Sequence, residues 1–175
     1  AEAGAIKFLE ENNIFPEIIA GTSAGAIVGG LYAFGRTPEE ILDFFKSVYF
    51  FNWKHFTLTK PGFINSDIFR LYLKPIIGEI KIKDLRIELL ISATDLIQGD
   101  TFVFSGDDYL LDAIIASCSV PGLASPFKKD EMLLSDGGIL NNFPSNLVRD
   151  KCNKLIGVFV SPLQDVEKNQ LNSIK

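Results

Sequence analysis

The stretch that most constrains this chain runs from residue 16 to residue 35. Pro16 opens a short apolar run, Ile18-Ile19-Ala20, of strand composition. The run leads directly into Gly21-Thr22-Ser23-Ala24-Gly25. Small and apolar residues then continue at helical length to Phe34, where Gly35 is placed to cap. A serine held between a strand and a helix must stand on a tight turn if its hydroxyl is to be exposed. Small residues on both sides let strand and helix pack closely around that turn, and Gly21 and Gly25 supply them, helped by Ala24. The helix start behind Ser23 favours developing negative charge. Ser23 is therefore the candidate nucleophile, weighed against an inert serine in a tight turn, which the pattern alone leaves open.

The rest of the chain alternates helical and extended patterns. Residues 2–13 predict a helix with Ala3, Ile6 and Leu9 on one face, ended by Asn12 and Asn13. Thr37-Pro38-Glu39-Glu40 is a strong helix start, with Thr37 as cap, Pro38 at the first helical position and Glu40 completing a capping box. That helix is expected to reach about Tyr49. Residues 50–64 read as aromatic and irregular, and the part from Phe50 to Phe63 is either a lid or contact surface or, more simply, a connection whose aromatics pack inward. Ser66 caps a further helix ending near Lys74-Pro75. A strand is expected at 88–93, paired as a hairpin with 101–104 across Gly99-Asp100. A helix is expected at 108–116, a strand at 132–134 and a final buried strand at 155–160. Strands alternating with helices predict an α/β layered fold, a single domain over 1–175.

A serine hydroxyl needs a base, usually a histidine oriented by an acid. The one histidine, His55, lies in the aromatic segment and would give the chain order Ser, His, Asp. The α/β-hydrolase order is Ser, acid, His. An acid acting directly is one way out; a histidine beyond this sequence is the other. Asp95 and Asp136 both end apolar runs, where a side chain reaches the active edge of an α/β sheet. Asp136 has the better setting, since Gly137 and Gly138 allow close backbone approach. Asp95 serves equally well as a turn residue. Asp107, Asp108 and Asp112 read as helix-start charges.

Composition closes off other classes. The net charge is −5, with no basic block, which argues against nucleic-acid binding and against electrostatic capture by anionic membranes. Hydrophobic contact with lipid stays open. No apolar run reaches the length of a membrane span, and no basic leader precedes an apolar stretch. A cytoplasmic location with peripheral membrane association is expected. Cys118 and Cys152 form no CxxC pair or metal-ligand pattern and read as reduced structural thiols.

Gly21-Thr22-Ser23-Ala24-Gly25-Ala26 together with Asp136-Gly137-Gly138 resembles the paired signatures of the patatin-like phospholipases. The segments from Gly4 to Glu11, Ala93-Thr94-Asp95-Leu96, Ala116-Ser117 with Val120-Pro121-Gly122, and Asn141-Asn142-Phe143-Pro144 are similar to the family's pattern in the same order. The resemblance implies a three-layer α/β/α sandwich with a mainly parallel central sheet. It implies a Ser23–Asp136 dyad without histidine that hydrolyses acyl esters of lipids through an acyl-enzyme, with no metal or other cofactor. It also implies a first strand and a glycine-rich oxyanion loop ahead of the helix that opens this sequence. Two other classes stand beside this expectation. One is a non-catalytic lipid-binding or regulatory protein retaining the fold; the other is an α/β-hydrolase whose histidine lies outside this sequence.

Overall fold

One short helix and a strand lead into the turn that carries Ser23, and a second helix leaves it. The structure, a computed structural model, describes the backbone of residues 1–55 and 67–160 and the side chains of residues 1–48 and 70–160. Helix α1 spans Glu2–Glu11 and ends at Asn12 and Asn13, the latter with a positive φ of 56°. Its Ala3, Ile6 and Leu9 are half-buried while Phe8 is exposed. Strand β1 (Ile18–Gly21) follows, then helix α2 (Ala24–Phe34), closed by Gly35 in the left-handed conformation. Every residue of α2 from Ala26 to Ala33 is buried, as a helix apolar on all sides requires.

Helix α3 (Pro38–His55) starts with the expected capping box: Thr37 Oγ1 accepts from the Glu40 amide at 3.2 Å and Glu40 Oε2 accepts from the Thr37 amide at 2.8 Å. It runs past Tyr49, where its end was expected. No Gly or Pro interrupts the sequence between Pro38 and Pro61, so residues 50–55 stay helical instead of turning irregular. The side chains of 50–55, His55 among them, and residues 56–63 lie outside the described part, and with them the expectation of a lid. Helix α4 (Asp67–Ile77) carries Pro75 inside it and continues beyond the expected stop, because Ile77 is buried in the core and draws the last turn inward.

Strand β2 (Glu88–Asp95) is buried along seven of its eight residues. Strand β3 (Asp100–Phe104) returns beside it through a turn in which Asp95 Oδ1 accepts from the Ile97 amide at 2.9 Å and Gly99 takes a φ of 73°. Helix α5 (Leu110–Ser117) crosses back over the sheet, with Asp112 in its first turn. Strands β4 (Phe127–Lys129) and β5 (Met132–Asp136) form a tight hairpin that the sequence reading missed in part, since β4 has only three residues.

The α/β class holds, and the sheet is mixed. Among the described residues β1 and β2 are parallel, whereas β2–β3, β2–β5 and β4–β5 are antiparallel. The parallel character expected of the centre is thus confined to β1–β2. Connections of a few residues, as at 96–99 and 130–131, can only return a strand antiparallel. The expected strand at 155–160 is not formed: Leu155, Ile156, Val158, Phe159 and Val160 are exposed and join no ladder. Strand composition alone does not make a strand; the segment must also dock on a sheet. The core instead gathers α2, α5 and the inner face of β2, with Leu31, Leu89, Ile91, Ala93, Leu110 and Ile114 at its centre.

Candidate active site

The register of β2 explains how Ser23 and Asp136 come to one place. Gly21, the last residue of β1, pairs with Ile91, and Asp136, the last residue of β5, pairs with Ala93. Ile91 also pairs with β3, and so does Ala93. β3 therefore occupies one edge of β2, and β1 and β5 share the other. They run in opposite directions along it, so their C-terminal ends meet head to head with only Ser92 between their last partners. The Ser23 turn leaves one end and the Asp136-Gly137-Gly138 turn leaves the other. Asp95 lies two residues further along β2 than Ala93 and pairs with Leu134. Its carboxylate is committed to the hairpin turn, so the structural reading of Asp95 fits its surroundings.

The close approach at this junction needs glycine at two points. A Cβ on Gly21 would stand 2.5 Å from the Gly25 carbonyl oxygen, and one on Gly137 would collide with the Ser92 carbonyl. Gly25 differs from the sequence expectation: a Cβ there would meet only Glu2 Oε1, at an ordinary 3.4 Å. Ser23 itself has φ 52° and ψ −118°, a conformation sparsely used by residues with a side chain. This is the strained turn that a strand-to-helix nucleophile calls for.

A buried hydroxyl network fills the space behind the turn. Thr22 Oγ1 donates to the Asn141 carbonyl at 3.0 Å, so in its contact with Ser92 Oγ it is the acceptor. Ser117 Oγ donates to the Ser92 carbonyl at 2.7 Å and accepts from the Ser23 amide at 2.9 Å. Thr94 Oγ1 donates to the Asp136 carbonyl at 3.0 Å. Cys118 Sγ donates to the Ser23 carbonyl at 3.3 Å, and burial, with the Asp136 carboxylate adding to it, pushes that thiol well above its ordinary range. Cys118 is thus a neutral donor and not a thiolate. Both cysteines are free.

Asp136 is 7% exposed. Its Oδ1 accepts from the Gly138 amide at 2.7 Å, and its own amide donates to the Ser119 carbonyl at 2.9 Å. Ser23 and Asp136 make no hydrogen bond to each other; the backbone brings them together, and the side chains are left to adjust. Ala24 begins α2, and a first-turn amide has no partner within its helix. Of the residues around this site, the sequence reading placed Ser23, Asp136 and their neighbours Gly21, Thr22, Ala24, Gly25, Gly137 and Gly138. It did not assign parts to Ser92 or Ser119. The signal was there in Ile91-Ser92-Ala93-Thr94, where polar residues interrupt a run otherwise destined for burial, and a buried hydroxyl needs a partner.

Comparison with known proteins identifies the family. The pattern of the patatin-like phospholipases matches residues 1–148. An uncharacterised NTE family protein of Mycobacterium tuberculosis is 34% identical over 148 residues, which are 82% of this chain and 40% of that protein. A patatin-like phospholipase domain-containing protein of Caenorhabditis elegans is 29% identical over 160 residues, 86% of this chain and 12% of that protein. The lysophospholipase NTE1 of Saccharomyces cerevisiae is 28% identical over 174 residues, 93% of this chain and 10% of that protein. The chain therefore spans well under half the length of these relatives. No helix among the described residues is long and apolar enough to cross a membrane. With the family pattern running from its first residue through both the Ser23 and the Asp136 turns, the chain belongs to the patatin-like phospholipase family.

Proposed function

We propose that this chain carries the catalytic centre of a serine acyl hydrolase acting on lipid acyl esters, with Ser23 as nucleophile and Asp136 as its base. The observation that carries the reading is the head-to-head meeting of β1 and β5 on one edge of β2, which delivers a strained serine and a buried carboxylate to the same gap.

The chemistry follows from the contacts. Oδ1 of Asp136 is held by the Gly138 amide, which fixes the carboxylate plane and leaves Oδ2 to take the Ser23 proton. Ser23 Oγ attacks the ester carbonyl, and the tetrahedral oxyanion forms over the start of α2. The Ser23 amide is already committed to Ser117, so the donor that α2 offers is the amide of Ala24. The glycine-rich loop that the family places before α1 would add further donors. Collapse gives an acyl-serine, and the leaving alcohol takes the proton back from Asp136. Water, deprotonated by Asp136, then releases the acid and restores Ser23. Contact with a membrane surface is part of this reading, since the substrate is a lipid. The names of the relatives make a lysophospholipid the first substrate to test.

A fluorophosphonate probe tests the nucleophile directly. It should label the protein, and Ser23→Ala should abolish labelling with the fold intact by circular dichroism. Hydrolysis of a p-nitrophenyl ester series, a phospholipid and a lysophospholipid by the full protein tests the substrate class. A protein that is unlabelled and inert towards all of them is not this enzyme.

A further inference from the structure

The last residue of α5 and the short turn after it make four hydrogen bonds that neither glycine motif accounts for. Ser117 Oγ receives the Ser23 amide at 2.9 Å. Cys118 Sγ donates to the Ser23 carbonyl at 3.3 Å. The Ser119 carbonyl receives the Asp136 amide at 2.9 Å and the Ser135 hydroxyl at 2.6 Å. Three consecutive residues thus grip the backbone on both sides of the serine and the backbone of the acid. Ser117 and Ser119 are fully buried, so water does not compete for these bonds. The turn is anchored in its turn: Ser119 Oγ donates to the Ile115 carbonyl at 2.8 Å, and Ala113, Ile114 and Ala116 of α5 have no exposed surface.

We propose that the Ser117-Cys118-Ser119 turn is the positioning element that sets the spacing between Ser23 and Asp136, and that Ser117 is the residue on which this depends most. The proposal rests on the reading of those two residues as the catalytic pair. Its physical basis is the Ser23 backbone. With φ 52° the Ser23 amide points neither into the β1 ladder nor into α2, and a buried amide without a partner is costly. Ser117 Oγ has a single hydrogen and gives it to the Ser92 carbonyl, so towards Ser23 it acts only as an acceptor and its orientation is fixed. The Ser23 turn is thereby tied through one oxygen to the middle of β2. Ser119 ties Asp136 to the same turn. A shift of the turn would move both partners of the dyad, and reaction geometry is sensitive to displacements of about 1 Å.

The experiment compares the full protein with Ser117→Ala and Ser117→Thr by three readouts: the acylation rate constant with p-nitrophenyl butyrate, kcat and KM taken separately, and amide exchange at Ser23 by NMR. In Ser117→Ala the acylation rate and kcat should fall about 10- to 100-fold while KM changes by less than about twofold. The Ser23 amide should exchange faster, and Ser117→Thr, which keeps the hydroxyl, should recover most of the rate. Wild-type acylation in Ser117→Ala overturns the proposal, as does a loss carried by KM alone. If Ser117→Ala does not fold, the wild-type protein still decides: a Ser23 amide protected like the core supports the contact, and one exchanging like a free amide overturns it. A wild-type protein that is never acylated removes the catalytic reading instead, and the exchange data separate the two failures.

Discussion

The molecule has two polar networks built on opposite rules. Around Ser23 the groups are uncharged hydroxyls and backbone amides, buried and matched donor to acceptor, from Ser92 through Thr22 to Asn141 and from Ser23 through Ser117 to Ser92. At the far side of the sheet the groups are charged and wet: Asp107 lies 2.6 Å from Lys83 and 3.0 Å from Lys81, with all three side chains substantially exposed. The first network is largely shielded from water and holds fixed directions. The second is screened, and its partners are free to exchange. Position is set by the buried neutral bonds, while the visible ion pairs set little beyond solubility.

Four substitutions would break or sharpen this contrast. Asp136→Asn should reduce kcat about 100- to 10,000-fold, since it removes the proposed base while Oδ1 still accepts from Gly138. Titration by urea should show an unchanged midpoint. Next come the two glycines of the serine turn, which the structure separates sharply. Gly21→Ala meets backbone at 2.5 Å and should destabilise the fold by about 3 kcal/mol. Gly25→Ala meets only the end of the Glu2 side chain and should stabilise α2 by about 0.5 kcal/mol, because alanine is the better helix former. Equal effects at the two positions would remove the asymmetry claimed for this turn. Ser92→Ala deletes one buried hydrogen bond to Thr22 and should lower unfolding free energy by about 1 kcal/mol.

The smallest effect belongs to the charged network. The ammonium of Lys83, and then that of Lys81, holds the Asp107 carboxyl below its ordinary value of 3.8. A carboxylate depressed in the folded state contributes stability above its unfolded pKa, and that contribution is lost as pH falls through the folded value. Asp107→Asn should therefore leave Tm unchanged at neutral pH and moderate salt. Any difference from wild type seen at low salt should vanish as pH drops below 3.8. A large neutral-pH loss would mean that the exposed network shapes the fold after all.

What could be read from the sequence tracks the range of the signal. The Ser23 turn was legible because strand, glycines and helix are contiguous, and the Thr37–Glu40 capping box for the same reason. The candidacy of Asp136 came from its two following glycines and from the family resemblance. The sharing of one β2 edge by β1 and β5 was not legible, because pairing joins residues 39 to 70 apart and no local pattern names the partner. The uses of Ser92 and Ser119 were hidden likewise: serine has no periodic preference, and its value lies in what it faces. Leu155–Val160 failed in the opposite direction, with clear strand composition and no ladder.

The conformation of Ser23 has a consequence for what selection can do with this protein. A side chain held at φ 52° stores on the order of 1–3 kcal/mol that the surrounding bonds must offset. Glycine would release that strain, and alanine would keep it. Ser23→Gly should accordingly melt at a higher temperature than Ser23→Ala, although both lack the hydroxyl proposed as nucleophile. The most stable form of this fold is then an inactive one, a single substitution away. Any drift towards robustness at this position would be a drift out of function.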